Sequence, residues 1–345
     1  MNNNSIFHKL RIAVIRDETP LTKTFVLEPL DGWEAVYQPG QFITLVFETG
    51  YGEKRRSYSI SSANDEALSI TVKKVDNGEF SRQLIYRAKV GEVLLSSGIG
   101  GFFVLPEKPD EFDQYFFLAA GSGITPCFAL IKTLLKQTNK NITLIYSNRD
   151  ETEAIFYDEL KTLQQKHSSR FNTRFLFSEL RDVHQSRLSK WLLEQLLNEY
   201  LKVEKNQAVF YLCGPLDYML MAEISLRGYG ISAQQMIREN FSSLPRKQVL
   251  RPTDTSQHLV TVSINDNKFQ YIVQYPETIL SAAKKLGIQL PYSCEAGRCG
   301  SCAATCTKGK VWMAYNEVLM DDELAKGRIL TCQGFPVDGD INIEY

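Results

Sequence analysis

The chain has 345 residues, with 39 Lys and Arg against 40 Asp and Glu, for a formal net charge of −1; at roughly 150 residues per domain this predicts two or three domains. Hydrophobic residues make up 43% and charged residues 23%, as in ordinary globular proteins, and near-neutrality argues against nucleic acid as the main partner. No run approaches the roughly 18 apolar residues of a membrane span, and the start, MNNNSIFHKLRIAVIRD, lacks the apolar core of a secretory signal, so a cytoplasmic location is expected.

Residues 1–110 read as short alternating strands, FITLVFE, RSYSISS and LSITVKKV among them, separated by stretches containing Gly and Asn. This spacing predicts an antiparallel barrel or sandwich. From Tyr115 the rhythm changes. YFFLAA runs into GSGITP and the helical CFALIKTLLKQ; ITLIYSN precedes an amphipathic helix in TEAIFYDELKTLQQKH; AVFYLCGP precedes another helix containing YMLMAEISLRG. Buried strands alternating with helices predict a doubly wound parallel sheet over 111–241. The polar segment 242–257 carries two prolines and no periodicity, and reads as a linker with few core contacts across it. In residues 258–345, LVTVSI and KFQYIVQY flank Asn265, Asp266 and Asn267, a hairpin signal. Thr278 fits the N-cap of a short helix closed by Gly287.

The cysteines are unevenly placed: Cys127 and Cys213 stand alone, and five others share the C-terminal quarter. CEAGRCGSC sets Cys294-x4-Cys299-x2-Cys302, with Cys332 further on, the plant-type spacing of a [2Fe–2S] cluster. Thiolates are soft, strong donors, and four of them complete tetrahedral coordination at two irons. Gly297 and Gly300 suit tight turns that aim backbone N–H groups at the sulfurs. Zinc is the competing reading, but zinc ribbons usually offer two close Cys pairs. No histidine lies in the loop, as a Rieske centre would need. Cys306 fits no ligand position and reads as a small packed residue. On this motif residues 258–345 resemble a plant-type ferredoxin, an α+β fold of the β-grasp type.

Upstream, Arg56, Ser57, Tyr58 and Ser59 form RSYS on a strand, PGQF precedes it, VKKV follows at Val72–Val75, and Gly78-x-x-Ser81 opens a helical stretch. An arginine can clamp a diphosphate, and a helix start at a glycine offers N–H groups to phosphate. This series resembles the ferredoxin–NADP reductase superfamily, whose first domain is an antiparallel flavin-binding β-barrel. The resemblance assigns Arg56, Tyr58, Ser59, Val72, Lys73, Gly78 and Ser81 to the flavin, with the Ser59 hydroxyl near the locus where hydride arrives. The Gly78 and Ser81 element favours FAD; an FMN variant exists in related reductases.

GSGITP sets Gly121 and Gly123 after a strand and before a helix, as a phosphate-binding turn requires, with Pro126 in place of a third glycine. Thr125-Pro126 and the CGP of Cys213, Gly214 and Pro215 match the turns of the same superfamily, and the resemblance puts that cysteine beside the nicotinamide. In IRENF, Glu239 and Phe241 occupy the place where acid and aromatic side chains approach the flavin in such reductases. Arg149, at the end of the second strand of this domain, can accommodate a 2′-phosphate and so favours NADPH; Asp150 and Glu151 adjoin it and keep NADH open.

The expected order is therefore a flavin barrel, a nicotinamide domain and a ferredoxin domain. It resembles the reductase components of oxygenase systems, in particular those of phenylacetyl-CoA epoxidases. What the resemblance implies is an NAD(P)H-dependent oxidoreductase with Ser59, Cys213 and Glu239 at the hydride-transfer locus and an oxygenase or other redox protein as acceptor. A desaturase or P450 acceptor, or a redox sensor that does not turn over, are the other readings.

Overall fold

The computed structural model describes residues 7–50, 52–108, 111–179, 186–241, 251–264 and 267–345, and these form three sheets of six, five and five strands. The first comprises β1 (His8–Thr19), β2 (Thr22–Pro29), β3 (Phe42–Thr49), β4 (Gly52–Ser59), β5 (Ser69–Lys73) and β6 (Val93–Gly100), in the order β4-β3-β6-β1-β2-β5, all antiparallel. A bridge between Ile60 and Ile70 joins the two ends of that order and closes the sheet into a barrel. Inside lie Leu10, Ile12, Phe25, Ile43, Leu45 and Ile70, alternate residues of their strands, which removes apolar area from water on one face of each. Helix α1 (Glu79–Arg87) follows Gly78 and covers one end through Phe80 and Leu84.

The second sheet holds β7 (Gln114–Ala120), β8 (Asn141–Asn148), β9 (Phe171–Phe177), β10 (Ala208–Cys213) and β11 (Met236–Glu239), in the order β11-β10-β7-β8-β9, every pair parallel. Along β7, Tyr115, Phe117 and Ala119 enter one core with α2 (Ile124–Gln137) and α3 (Tyr157–Lys166). Phe116 and Leu118 enter the opposite core with α4 (Lys190–Tyr200) and α5 (Leu216–Tyr229). Strands buried on both faces explain the continuous apolar runs. The helix expected within 152–167 is shorter than its periodicity suggests: Ala154, Ile155 and Phe156 are buried loop, Phe156 has φ 60°, and its ring stacks on Phe128 at 4.1 Å.

The third sheet holds β12 (His258–Ile264), β13 (Asn267–Val273), β14 (Ala303–Met313), β15 (Arg328–Leu330) and β16 (Gly334–Glu344), ordered β13-β12-β16-β14-β15, with β12 and β16 parallel. Helix α6 (Ile279–Lys285) packs on it through Ile279, Leu280, Ala282 and Ala283. Thr278 caps it with a reciprocal Ser281 bond, and Gly287 follows at φ +72°. These are the barrel, the doubly wound sheet and the mixed β-grasp sheet expected from the sequence.

Of the segment read as a linker, residues 242–250 lie outside the described residues, as do Asn265 and Asp266 of the hairpin turn. The ferredoxin part does not stand apart, as a bare linker would suggest. Phe102, from the stretch after β6, packs against its core, and Arg55 of β4 crosses to Gln289 and Leu290. No described helix is long and apolar enough to cross a membrane.

Candidate electron-transfer site

The parallel sheet reverses strand order between β7 and β10, and a crevice opens at such a switch point beyond the strand ends. Gly121–Gly123 follows β7 as a short 3-10 turn, and Cys213-Gly214-Pro215 follows β10 beside it. The two turns meet so closely that a Cβ at Gly123 would stand 2.0 Å from the Cys213 carbonyl oxygen, and one at Gly214 would stand 2.9 Å from the Ala120 Cβ. Thr125 donates to the Ser122 carbonyl at 2.9 Å, Pro126 is buried in the first turn of α2, and the Tyr146 hydroxyl donates to the Gly121 carbonyl at 3.0 Å.

A cleft of about 590 Å³ lies between barrel and sheet. Arg56, Tyr58, Ser59, Val72, Lys73, Gly78 and Ser81 of the barrel line it, with Ser122, Thr125 and Phe241 from the other side. That volume falls within the range of cofactor pockets. The cradle at its end is built for close approach: a Cβ on Gly78 would stand 2.6 Å from the Ser81 hydroxyl and 2.9 Å from Val75. Ser81 accepts from the Val75 N–H and donates to the Gly78 carbonyl, fixing the turn that opens α1. The Arg56 guanidinium lies over the Phe80 ring at 5.1 Å. A cleft with Tyr58, Val72, Val75 and Phe241 among hydroxyl and charged side chains, and with an arginine and a helix start in its lining, fits a flavin carrying phosphate.

Glu239, brought level with Cys213 by the β10–β11 register, accepts from the Ser59 hydroxyl at 3.1 Å. Burial pushes its carboxyl up to about 8, which favours the protonated form near neutrality. Cys213 is fully buried, and burial, with Glu239 nearby, pushes its thiol well above the usual range. Lys73 donates at 3.1 Å to Glu153, in the loop between β8 and α3. Arg149 is not among the residues that line this cleft: its side chain is 65% exposed, donates to Glu179 at 2.6 Å and lies 3.9 Å from Glu153.

The four cysteines act on one another. Cys294 interacts with Cys299 and Cys332 with Cys302, and the two pairs also meet, Cys302 acting on Cys299 and Cys294 on Cys332. Four such thiols suit the two irons that the plant-type spacing implies, two thiolates to each. Cys299 and the amides of Ala296, Arg298 and Cys299 hold the Cys294 thiol below the usual thiol range, which favours the thiolate a metal takes. Gly297 and Gly300 have φ +72° and +73°, and a Cβ at Gly300 would stand 2.5 Å from the Phe102 ring. Cys306 sits on β14, its thiol directed at the Lys308 carbonyl, outside the group.

Sequence reasoning missed the contact between these two sites. A cavity of about 90 Å³ is lined by Ser59, Glu239 and Phe241 on one side and by Ser293, Cys294 and Cys299 on the other. Ser57 donates to Ser293 at 2.8 Å, and Asn240 donates to Glu317, itself paired with Arg298. A strand serine and a residue beside a cysteine carry no signal of such pairing before the fold is known.

A closed barrel, a nucleotide-binding sheet and a paired-cysteine ferredoxin loop facing one cleft define a pyridine-nucleotide-dependent flavin and iron–sulfur oxidoreductase. Residues 262–337 match the 2Fe-2S iron-sulfur cluster binding domain, and residues 117–223 the oxidoreductase NAD-binding domain. The chain is 33% identical over 354 aligned positions to the 3-ketosteroid-9-alpha-monooxygenase, ferredoxin reductase component, of Mycobacterium tuberculosis (strain ATCC 25618 / H37Rv), covering 98% of this chain and 95% of that protein. It is 32% identical over 351 positions to a component of the 1,2-phenylacetyl-CoA epoxidase of Escherichia coli (strain K12), covering 98% of each. The solved structure of phthalate dioxygenase reductase shares the fold, with a TM-score of 0.60 and 22% identity over 98% of each chain. The chain belongs to the family of ferredoxin–NADP reductase-like oxygenase reductase components that carry a C-terminal [2Fe–2S] ferredoxin domain. It transfers electrons from NAD(P)H through a flavin to that cluster and on to a redox-protein partner.

Proposed function

We propose that the flavin is FAD, held by Arg56, Tyr58, Ser59, Val72, Lys73, Gly78 and Ser81, and that the nicotinamide lies over Gly121, Gly123, Thr125, Pro126, Cys213, Gly214 and Pro215, with Phe241 at the flavin. The cluster belongs on Cys294, Cys299, Cys302 and Cys332. The observation that carries this reading is the cavity of about 90 Å³ that joins the Ser59–Glu239 pair to Cys294 and Cys299. Bound flavin supplies the conversion of a two-electron hydride into single electrons. Around it, Arg56 and the start of α1 bind the phosphates, and Glu239 keeps a proton beside the Ser59 hydroxyl and orients it. The neutral Cys213 thiol packs where the nicotinamide must lie, and Phe241 walls the cleft against water.

For the nucleotide we propose NADPH, supported by Arg149. Its guanidinium pairs with Glu179 and stands 3.9 Å from Glu153, so a 2′-phosphate would have to take the place of Glu179 on a fork that also suits phosphate.

The acceptor we propose is an oxygenase of the phenylacetyl-CoA epoxidase type, supported by the end-to-end match to the Escherichia coli protein. The experiment is reconstitution of NADPH-driven turnover with purified epoxidase components and, in parallel, with a ketosteroid monooxygenase component. Turnover with the first and not the second is expected; the reverse would overturn the acceptor while leaving the redox core intact.

A further inference from the structure

We propose that Arg55 is the positioning residue that seats the ferredoxin part on the flavin barrel so that electrons cross to the cluster. Side chains on a strand alternate, and in β4 the alternation divides two tasks between adjacent arginines. Arg56 and Tyr58 line the flavin cleft, whereas Arg55 bonds to the segment that leads into Cys294; Ser57, at the cleft wall, bonds to Ser293 of the same segment.

The Arg55 side chain is 2% exposed. Its Nε donates to Glu53 at 2.6 Å, its Nη1 to the Leu290 carbonyl at 3.3 Å and its Nη2 to Gln289 Oε1 at 3.2 Å. The guanidinium also lies 3.9 Å from the centre of the Tyr292 ring, whose hydroxyl donates to Glu53 at 3.3 Å. A buried charge is costly unless all its bonds are made, and here those bonds come from both sides of the interface. They close only when residues 289–292 are docked, and Ser293 and Cys294 follow directly. The strand that carries the flavin residues therefore fixes the first cluster ligand.

The chemistry needs such a seat. A hydride would bring two electrons to a bound flavin, whereas a [2Fe–2S] cluster takes one at a time, so the second electron would leave the flavin only after the cluster had passed the first to the redox-protein partner. No bond between the two parts forms or breaks, so the protein contributes only their relative placement.

The proposal rests on the function proposed above, and rapid mixing of the flavin- and cluster-loaded protein with NADPH separates the two. In Arg55→Gln the hydride step, read as flavin bleaching, stays within about twofold. Reduction of the cluster slows by about ten- to hundredfold, the scale of losing charge-assisted bonds. Iron content and the spectrum of the chemically reduced cluster stay those of the parent, which a merely structural role would not guarantee. Gln289 is exposed, so Gln289→Ala tests the same contact from the other side without burying a defect, with about threefold slower cluster reduction expected. The double variant should be no slower than Arg55→Gln, because both remove one shared interaction. Cluster reduction at the parent rate in both single variants overturns the proposal, as does equal slowing of the hydride step. A parent protein in which NADPH bleaches the flavin but never reduces the cluster overturns the function instead.

Discussion

Three of the four cysteines of the C-terminal motif, Cys294, Cys299 and Cys302, sit in one loop, whereas the cleft draws on the barrel at Arg56–Ser59 and Val72–Ser81, on Ser122 and Thr125, and on Phe241. The loop is held by backbone geometry, with two left-handed glycines and amides turned toward Cys294. The cleft is held by tertiary packing, as where Gly123 admits the Cys213 carbonyl. A centre in which every ligand completes a shell fails when one is lost; a surface assembled from many contributors degrades in steps.

The sharpest way to break that comparison is Cys299→Ser. With one of four thiolates gone, the iron signal should vanish while flavin content and NADPH–ferricyanide activity remain. A variant that kept its cluster would show that the loop too is redundant.

Glu239 tests the cleft through its proton. Burial raises the carboxyl from 4.5 to about 8, so between those values the folded chain holds a proton that the unfolded chain has released. The stabilisation is complete below 4.5 and is lost as pH rises through 8. Glu239→Gln cannot ionise, so its unfolding free energy, read from denaturant titrations, should fall less than that of the parent across this window, by up to about 5 kcal/mol. Parallel pH profiles would mean that the carboxyl is solvated in solution.

Smallest is the effect at the rim. Arg149→Ala should raise the Michaelis constant for NADPH about tenfold, the worth of one charge-assisted contact, and that for NADH less than about twofold. Equal changes would make Arg149 a partner of Glu179 and nothing more.

The same contrast governs what could be read before folding. Cysteine spacing is local, so the ferredoxin domain was legible from it, as were the barrel, the doubly wound sheet and the Thr278 cap from their own patterns. Glu239 and Phe241 were legible only through resemblance, because nothing local in IRENF says that a β10–β11 register will set the acid beside Ser59. Arg55 gave no signal: a second arginine beside Arg56 looks like a solvated strand residue until Gln289 and Leu290 arrive from far along the chain. Glu179 opposite Arg149 was hidden for the same reason. Periodicity placed the start of α3 too early because it counts Ala154–Phe156 as apolar without showing that Phe156 turns left-handed to reach Phe128.

The alternation along β7 has a consequence for how this chain can change over evolutionary time. Tyr115, Phe117 and Ala119 fill one core, Phe116 and Leu118 the other, and both edges of the strand are paired, to β8 and to β10. Exchanging one apolar side chain for another there alters volume alone, which interiors partly absorb. Inserting or deleting a single residue would swap the two sets between cores and drag the Gly121–Gly123 turn off the crevice. The strand can therefore drift in spelling but not in length, while the loops around it remain free to lengthen.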